Sequence, residues 1–390
     1  MTERALGVPF VDFKAHVRAM RGEIDAAVAR VLDSGWFILG PEGEAFEREL
    51  AAWLGARDVV AVANGTEAIQ LALEGLGIGD GDEVITSPMT AAFTALAIMR
   101  TGARAVFADL DPATLNVSPA AVAAAVTTRT RALLPVHLYG HPADLDPLMA
   151  LGRERGIAVV EDACQAIGAQ YKGRRVGALS GIGALSFYPT KNLGALGDGG
   201  AIVLQDEKVA ARIRRLRNGG QSDRYRHEIP GINSRLDEMQ AAILRCGLTH
   251  LGEWTDRRRA LAERYLRELD GIEGLALPRT QPYATPAHHL FVVRHARRDA
   301  LAAALLARGV GTLIHYPIPL HLQPAFAGMG RAGEFPVAEK AAGEILSLPL
   351  YPEMSDAQAG TVIETVRVVA GTGLNMAVRG PGPPVAGSLP

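Results

Sequence analysis

The chain has few of the residues that build disulfide frameworks or metal centres. It contains two cysteines in 390 residues, Cys164 and Cys246, and both lie in apolar surroundings without paired ligand spacing. Neither a disulfide framework nor a zinc site is indicated. The histidines are scattered, and neither His137 with His141 nor the pair at 288–289 has carboxylate or cysteine partners nearby. We therefore expect no metal centre and interpret these histidines as structural.

An excess of charge of one sign is also missing. Lys and Arg number 40 against 42 Asp and Glu, which gives a formal net charge of −2. A protein that binds nucleic acid normally carries a basic face or stripe. The basic run at 257–259 lies among acidic residues, which is typical of a solvated helix face. Binding to nucleic acid is therefore not predicted.

Long apolar runs are absent from the sequence. The N-terminus has no basic segment followed by an apolar core, and no uninterrupted apolar run is long enough to span a bilayer. We expect a cytoplasmic protein that does not bind membranes. Since 48% of the residues are hydrophobic, the chain can bury a sizeable core, and its length predicts about two domains.

Short apolar runs alternate with segments of helical periodicity through the first 217 residues. Amphipathic helices are predicted at 13–32 and 42–54, and further helices at 66–76 and 206–217. The predicted strands are 59–63, 83–86, 105–108, 132–136, 158–161, 183–187 and 201–204. This alternation predicts an α/β fold with a mostly parallel, seven-stranded sheet that is covered by helices on both faces.

The pattern changes from about residue 248. A charged helix at 254–269 is followed by apolar runs at 275–278, 289–293 and 309–314 and by helices at 299–308, 337–346 and 356–369. We interpret this part as a smaller α+β domain. Residues 371–390 lack periodicity and contain several prolines, which is typical of a disordered tail. The predicted organisation is a large domain at 1–247, a small domain at 248–370 and this tail.

Ligands of a parallel sheet bind beyond the carboxyl ends of its strands, where this chain carries several polar residues. After the first strand, Gly65 and Thr66 open a helix whose free N–H groups and hydroxyl suit a phosphate, although plain N-capping is the alternative. Asp162 follows a buried strand and needs a partner, and a protonated ring nitrogen is one. Ser186 is within reach to add a second hydroxyl for a phosphate.

Lys191 lies on a turn between an apolar strand and the glycine-rich stretch at 194–200. Its apolar neighbours would desolvate the ammonium and lower its pKa. A neutral lysine amine can form an imine with an aldehyde cofactor, which makes Lys191 a candidate nucleophile. The alternative is a lysine whose stem packs while its head reaches water.

Two loops carry aromatic rings. Trp36 and Phe37 lie in a segment bounded by glycine and proline, and they form either a hinge packed on the core or part of a pocket wall. The loop at 315–321 is stiffened by two prolines and carries His315, Tyr316 and His321.

Five short motifs become informative as a set. They are residues 64–68 (NGTEA), 161–165 (EDACQ), 186–194 (SFYPTKNLG), 231–235 (GINSR) and 315–316 (HY) with His321. In this order they resemble the DegT/DnrJ/EryC1/StrS family of sugar aminotransferases, over nearly all of residues 7–370. The resemblance implies the aspartate aminotransferase-like fold, which is fold type I of the enzymes that use pyridoxal 5'-phosphate (PLP). It also implies homodimers with active sites at the subunit interface.

The resemblance assigns roles to individual residues. Lys191 resembles the lysine that holds the cofactor as an imine, Asp162 the partner of the ring nitrogen, and Gln165 the residue near the ring hydroxyl. The residues that resemble phosphate ligands are Gly65, Thr66, Ser186 and, from the second subunit, Asn233. The residues expected on the substrate side are Trp36, Phe37, Tyr316 and His321.

One position departs from the family pattern. Members usually place an aromatic residue directly after a threonine, where it stacks on the cofactor ring. Here Thr90 is followed by Ala91, and the nearest aromatic residue is Phe93. We expect Phe93 to take over the stacking role.

The resemblance implies transfer of an amino group from glutamate or glutamine to a nucleotide-linked keto-deoxyhexose. The stretch 191–200 (KNLGALGDGG) is more similar to members that aminate C3 of a dTDP-sugar than to those that aminate C4. The open alternatives are a C4 aminotransferase, a keto-inositol aminotransferase and a non-catalytic, PLP-binding regulator. Lys191 argues against the dehydratase branch of the family, in which a histidine replaces this lysine.

Overall fold

The structure is a computed structural model that describes residues 7–371. The α-helices are α1 (Phe13–Ser34), α2 (Pro41–Leu54), α3 (Gly65–Gly75), α4 (Ala92–Arg100), α5 (Pro119–Ala125), α6 (Leu145–Arg155), α7 (Glu207–Leu216), α8 (Glu238–Glu268), α9 (Arg298–Ala307), α10 (Pro336–Glu344) and α11 (Asp356–Gly371). The strands are β1 (Asp58–Val62), β2 (Glu83–Thr86), β3 (Arg104–Phe107), β4 (Thr130–Leu133), β5 (Ala158–Val159), β6 (Glu161–Asp162), β7 (Gln170–Tyr171), β8 (Arg174–Arg175), β9 (Ile182–Ser186), β10 (Gly200–Leu204), β11 (Gln221–Asp223), β12 (Arg226–His227), β13 (Leu275–Ala276), β14 (Ala284–Thr285), β15 (Phe291–His295) and β16 (Ile345–Leu348). Apart from residue 371, the predicted disordered tail lies outside the described residues.

The central sheet has the strand order β3-β2-β4-β5/β6-β9-β10-β1. β5 and β6 share one strand position: β5 pairs with β4 and β6 pairs with β9, and both pairings are parallel. β10 runs antiparallel to both of its neighbours, β9 and β1. The prediction of a mostly parallel, seven-stranded sheet is therefore confirmed.

Both faces of this sheet are buried, as the apolar strands predict. In β1, Val60 belongs to an apolar cluster that includes Leu71 of α3. The neighbouring Val59 faces the other way, into a cluster with Phe46 and Leu50 of α2. Because successive side chains of a strand point to opposite faces, one short strand supplies two hydrophobic layers. The carboxyl ends of the parallel strands are thereby held between helices.

The C-terminal part contains a three-stranded antiparallel sheet in the order β13-β15-β16, which shares an apolar cluster with α9 and α11 and contacts α10 through β15. The helix predicted at 337–346 ends at Glu344, and the four buried residues Ile345–Leu348 form β16 instead. Their apolar run fits a helix end equally well in sequence, but pairing with β15 satisfies their backbone groups. The run at 309–314 forms isolated bridges at Val310 and Leu313 rather than a strand.

One long helix connects the two parts. The sequence predicted a charged helix that begins at 254, whereas α8 begins at Glu238 and continues through 31 residues. Glycine is favoured at position 247, in the middle of this helix, because a Cβ there would stand only 3.0 Å from Leu193 Cδ1. The predicted domain boundary between residues 247 and 248 falls within α8 and stays a prediction. Among residues 7–371, no helix has the length and apolar character needed to cross a bilayer.

Candidate active site

Three strand ends meet where β1 turns into α3. Asn64 caps α3, since its Oδ1 accepts a hydrogen bond from Glu67 N at 2.9 Å. Thr66 at the same helix start is not used for capping. A Cβ added to Gly65 would stand 2.7 Å from Ser186 Cβ and 3.1 Å from Cys164 Sγ. The residue must therefore be glycine, and the start of α3 lies against the ends of β6 and β9.

Asp162 is fixed at both carboxylate oxygens. Its Oδ1 accepts from the backbone N–H of Cys164 at 3.1 Å, and its Oδ2 accepts from the hydroxyl of Thr94 at 2.8 Å. The residue is 2% exposed. Its backbone N–H donates to Pro135 O at 2.9 Å, and its carbonyl accepts from His137 N at 3.0 Å. A buried carboxylate is thus held at a strand end, as the sequence predicts.

Lys191 is held on a tight turn after β9. Its backbone N–H donates to Tyr188 O at 2.8 Å. A Cβ on Gly194 would stand 2.4 Å from Pro189 O, so the turn requires glycine there. Burial lowers the pKa of Lys191, although nearby Cys164 and Asp162 act to raise it. The lowered pKa favours the neutral amine that imine chemistry needs.

Gln165 connects this edge of the sheet to the loop that contains Tyr316. Gln165 Oε1 accepts from Tyr139 N at 2.8 Å, and its Nε2 donates to the Tyr316 hydroxyl at 3.0 Å. The Tyr139 hydroxyl in turn donates to His315 O. Burial and the proximity of Asp162 raise the pKa of Tyr316, which keeps its hydroxyl protonated. Tyr316 therefore lies beside Asp162 and Gln165.

Trp36 and Phe37 lie on an exposed segment near the start of α2. Their exposed fractions are 57% and 48%. The Trp36 ring donates to Ile38 O at 2.8 Å, and Phe37 O accepts from Glu238 N at 2.9 Å. The segment is thus anchored through its backbone while both rings face outward, and their assignment to the substrate side stays a prediction.

The other predicted site residues lie in different surroundings. Phe93 stands in the first turn of α4, one residue before Thr94, and is 62% exposed. Asn233 is exposed on the segment between β12 and α8. His321 is buried, with Nε2 3.1 Å from Glu339 Oε1 and its ring against Phe335. The structure does not bring His321 into contact with Lys191 or Asp162, and the roles predicted for these three residues stay predictions.

Sequence reasoning missed the contacts that Thr94, His289 and His315 make in this site. Thr94 contacts Asp162 directly. His289 and His315 are both neutral, because burial lowers the pKa of each imidazole, and nearby Lys191 lowers it further. The pKa of His315 is lowered to about 4. His289 was interpreted as structural because the sequence shows no ligand spacing around it. No local signal could have revealed these contacts, since each depends on tertiary packing.

The donor set fits PLP. The turn at Gly65 leaves no room for a Cβ, and Thr66 and Ser186 add two hydroxyls, which suits a phosphate. Asp162 offers a buried acceptor for a protonated ring nitrogen, and Lys191 offers an amine for an aldehyde. Among residues 7–371, no group of three or more His, Cys, Asp or Glu side chains is arranged to hold a metal ion.

Comparison with known proteins agrees with this geometry. The family model of the DegT/DnrJ/EryC1/StrS aminotransferase family matches residues 18–367. The chain belongs to this family. The predicted family, its PLP-dependent aminotransferase activity and its fold are thereby confirmed.

Individual members of the DegT/DnrJ/EryC1/StrS family are similar over nearly their full length. The dTDP-3-amino-3,4,6-trideoxy-alpha-D-glucose transaminase of Streptomyces venezuelae is 53% identical over 92% of this chain and 95% of its own. The erythromycin biosynthesis sensory transduction protein EryC1 of Saccharopolyspora erythraea is 51% identical over 94% and 100%. The crystal structure of S. venezuelae DesV in complex with a ketimine intermediate superposes with a TM-score of 0.92, at 53% identity and 93% and 98% coverage.

Proposed function

We propose that this aminotransferase moves an amino group from glutamate or glutamine to C3 of a dTDP-linked keto-deoxyhexose. The observation that carries the proposal is the convergence of Lys191, Asp162 and the Gly65 turn at one edge of the sheet. The similarity to the S. venezuelae transaminase supports the choice of sugar, because its name specifies a 3-amino dTDP-sugar. Amination at C4 or of a keto-inositol has no comparable support here.

Each side chain has a defined task in this reaction. Lys191 would hold the aldehyde group of the cofactor, and its neutral amine would also serve as the base for the α-proton of the donor. Asp162 keeps a proton on the ring nitrogen. PLP, when bound, supplies the electron sink for the resulting negative charge. The residues proposed to hold the cofactor besides these two are Gly65, Thr66, Phe93, Gln165, Ser186 and Asn233.

The proposal includes a homodimer with shared active sites. The rings of Trp36, Phe37 and Tyr188 are exposed, and large exposed apolar side chains support an interaction surface. Asn233 would then reach the phosphate of the neighbouring subunit, and Trp36, Phe37, Tyr316 and His321 would contact the sugar nucleotide. We place the enzyme in the cytoplasm, where nucleotide-linked sugars and the amino-acid donors are available.

The test is a substrate screen with matched variants. Purified protein with PLP is assayed with glutamate or glutamine and with 3-keto and 4-keto sugars linked to dTDP or UDP, together with keto-inositols. We expect turnover to be fastest with a 3-keto dTDP-sugar and to be abolished in Lys191→Ala, whereas Lys172→Ala, a surface lysine paired with Asp146, should behave as wild type. Faster amination of a 4-keto sugar would contradict the C3 assignment. PLP binding without any turnover would overturn the enzymatic proposal and favour a regulator.

A further inference from the structure

Thr94 contacts the acid that serves the cofactor ring. Its hydroxyl oxygen lies 2.8 Å from Asp162 Oδ2, although the two residues are 68 positions apart in sequence. Both side chains are buried, with 2% of each residue exposed. A hydroxyl in such a place must use its hydrogen, and the carboxylate is the acceptor that it has found.

The direction of this hydrogen bond is determined by the groups themselves. An ionised carboxylate can only accept, so Thr94 is the donor. The oxygen of Thr94 is then free to accept, and Thr90 Oγ1 stands 3.2 Å away to donate to it. Thr90 is also 2% exposed. The arrangement is therefore a short chain of hydroxyls that runs from Thr90 through Thr94 to Asp162.

The second oxygen of the same carboxylate is held by a different segment of the chain. The Cys164 backbone N–H donates to Oδ1 at 3.1 Å, two residues further along the chain. Two donors from separate elements, α4 and the segment after β6, prevent rotation of the carboxylate about its Cβ–Cγ bond. Each oxygen keeps a lone pair, which leaves the carboxylate able to accept one more hydrogen bond.

We propose that Thr94 is a positioning residue, which holds the Asp162 carboxylate in the orientation that receives the protonated ring nitrogen of PLP. Hydrogen bonds to an ionised carboxylate also favour that form against the cost of burial. The inference requires PLP binding, which the whole family shares, and does not depend on the sugar that is aminated.

The chain offers a matched control for a purely structural hydroxyl. Thr86 is fully buried in β2, and its hydroxyl donates to Leu134 O at 2.9 Å. Thr86→Val removes a buried hydroxyl of the same kind without touching Asp162. Thr94→Val removes the donor to Asp162 at nearly constant volume, and Thr94→Ser retains it.

Binding of two probes to the cofactor-free protein tests the proposal. PLP reports on the complete site, whereas pyridoxine 5'-phosphate lacks the aldehyde and reports on the ring and phosphate contacts without Lys191. In Thr94→Val we expect the Kd of both probes to rise about tenfold, the effect of one hydrogen bond to a charged group. Thr94→Ser should restore the wild-type Kd of both probes.

The control separates positioning from a general loss of packing. Thr86→Val should lower the melting temperature while the Kd of both probes stays as in wild type. Wild-type Kd values in Thr94→Val would overturn the proposal. An equal rise of the Kd in Thr86→Val would do so as well, because the effect would then not depend on contact with Asp162. Failure of the substrate screen above would leave these binding results unaffected, so the two proposals fail separately.

Discussion

The side-chain nitrogen of Gln165 lies 3.0 Å from the hydroxyl oxygen of Tyr316 and donates a hydrogen bond to it. The orientation of the amide is fixed, because Gln165 Oε1 accepts from the backbone N–H of Tyr139 at 2.8 Å. Tyr316 uses its oxygen as the acceptor, so the hydrogen of its own hydroxyl remains available. We infer that this hydrogen donates to an oxygen of a bound ligand, since Tyr316 lies beside Asp162 and Gln165.

Tyr316→Phe removes that donor and leaves the ring. We expect kcat/KM to fall about tenfold, since one donor to a charged or strongly polar oxygen is lost. Tyr171→Phe is a suitable control, because its hydroxyl donates to Asp144 Oδ1 at 2.7 Å away from the site. Steady-state kinetics of both variants check the prediction. Equal losses in the two would show that the hydroxyl of Tyr316 has no special relation to the ligand.

The burial of Lys191 is expected to lower the free energy of unfolding of the cofactor-free protein. Its pKa is lowered mainly by burial, so the folded state releases a proton that the unfolded chain keeps, and stability rises with pH in the window between the two values. At neutral pH this burial is unfavourable. Lys191→Met should therefore raise the melting temperature of the cofactor-free protein by a few degrees, whereas Lys172→Met at a surface ion pair should not.

Addition of PLP should reverse the order of the two melting temperatures, so that wild type melts above Lys191→Met. Wild type gains stability from a ligand that binds the folded state, and Lys191→Met gains less because it cannot form the imine. Thermal unfolding with and without PLP measures both effects. A variant that melts below wild type in the absence of PLP would contradict the assigned cost of burial.

Glu238 stabilises the segment that carries Trp36. Its buried carboxylate accepts from the backbone N–H groups of Gly40 at 2.9 Å, Glu42 at 2.7 Å and Gly43 at 3.0 Å, at the start of α2. A carboxylate there also complements the helix dipole. Glu238→Gln should cost about 2 kcal/mol of stability, and Glu253→Gln on the exposed face of α8 should cost almost nothing. Denaturant unfolding checks this prediction. Equal unfolding midpoints for wild type and Glu238→Gln would show that the cap is dispensable.

Residues at the end of a strand, or on the turn after it, could be predicted from the sequence. Lys191 and Asp162 each come after an apolar run, and the rule that ligands bind at the carboxyl ends of parallel strands places them at one edge. The α/β alternation predicts the sheet for the same reason, because both signals are local.

Contacts between distant segments could not be predicted. Thr94 and Asp162, or Gln165 and Tyr316 at a separation of 151 residues, meet only once the sheet and the C-terminal part have packed. The misassigned β16 has the same origin, since its four buried residues become a strand through pairing with β15. The stacking role predicted for Phe93 shows a further limit of sequence-based prediction. That role was inferred from the position of Phe93 after Thr90 in the sequence, and this position does not determine where its ring points.

The strand that carries Asp162 depends on a buried pair next to it. Glu161 is fully buried and accepts from Gly177 N at 2.8 Å, Ser180 N at 2.8 Å and His137 Nε2 at 3.1 Å. His137 Nδ1 accepts from Ala143 N at 3.0 Å, so the ring hydrogen lies on Nε2 and points to Glu161. Burial acts to raise the pKa of Glu161, but these donors outweigh it and the pKa is lowered.

This lowered pKa gives a pH-dependent contribution to stability with a defined sign. Above the ordinary value of 4.5 the ionised carboxylate stabilises the folded state, and the contribution is lost as the pH falls through the lower folded value. Glu161→Gln should therefore cost about 3 kcal/mol at pH 7, as expected when one partner of a buried network is removed, and the difference from wild type should shrink below pH 4.5. Glu154→Gln, at an exposed pair with Arg155, is the control and should track wild type at every pH. Denaturant unfolding across this range checks the prediction, and a difference that stays constant with pH would show that the carboxylate charge is not what Glu161 contributes.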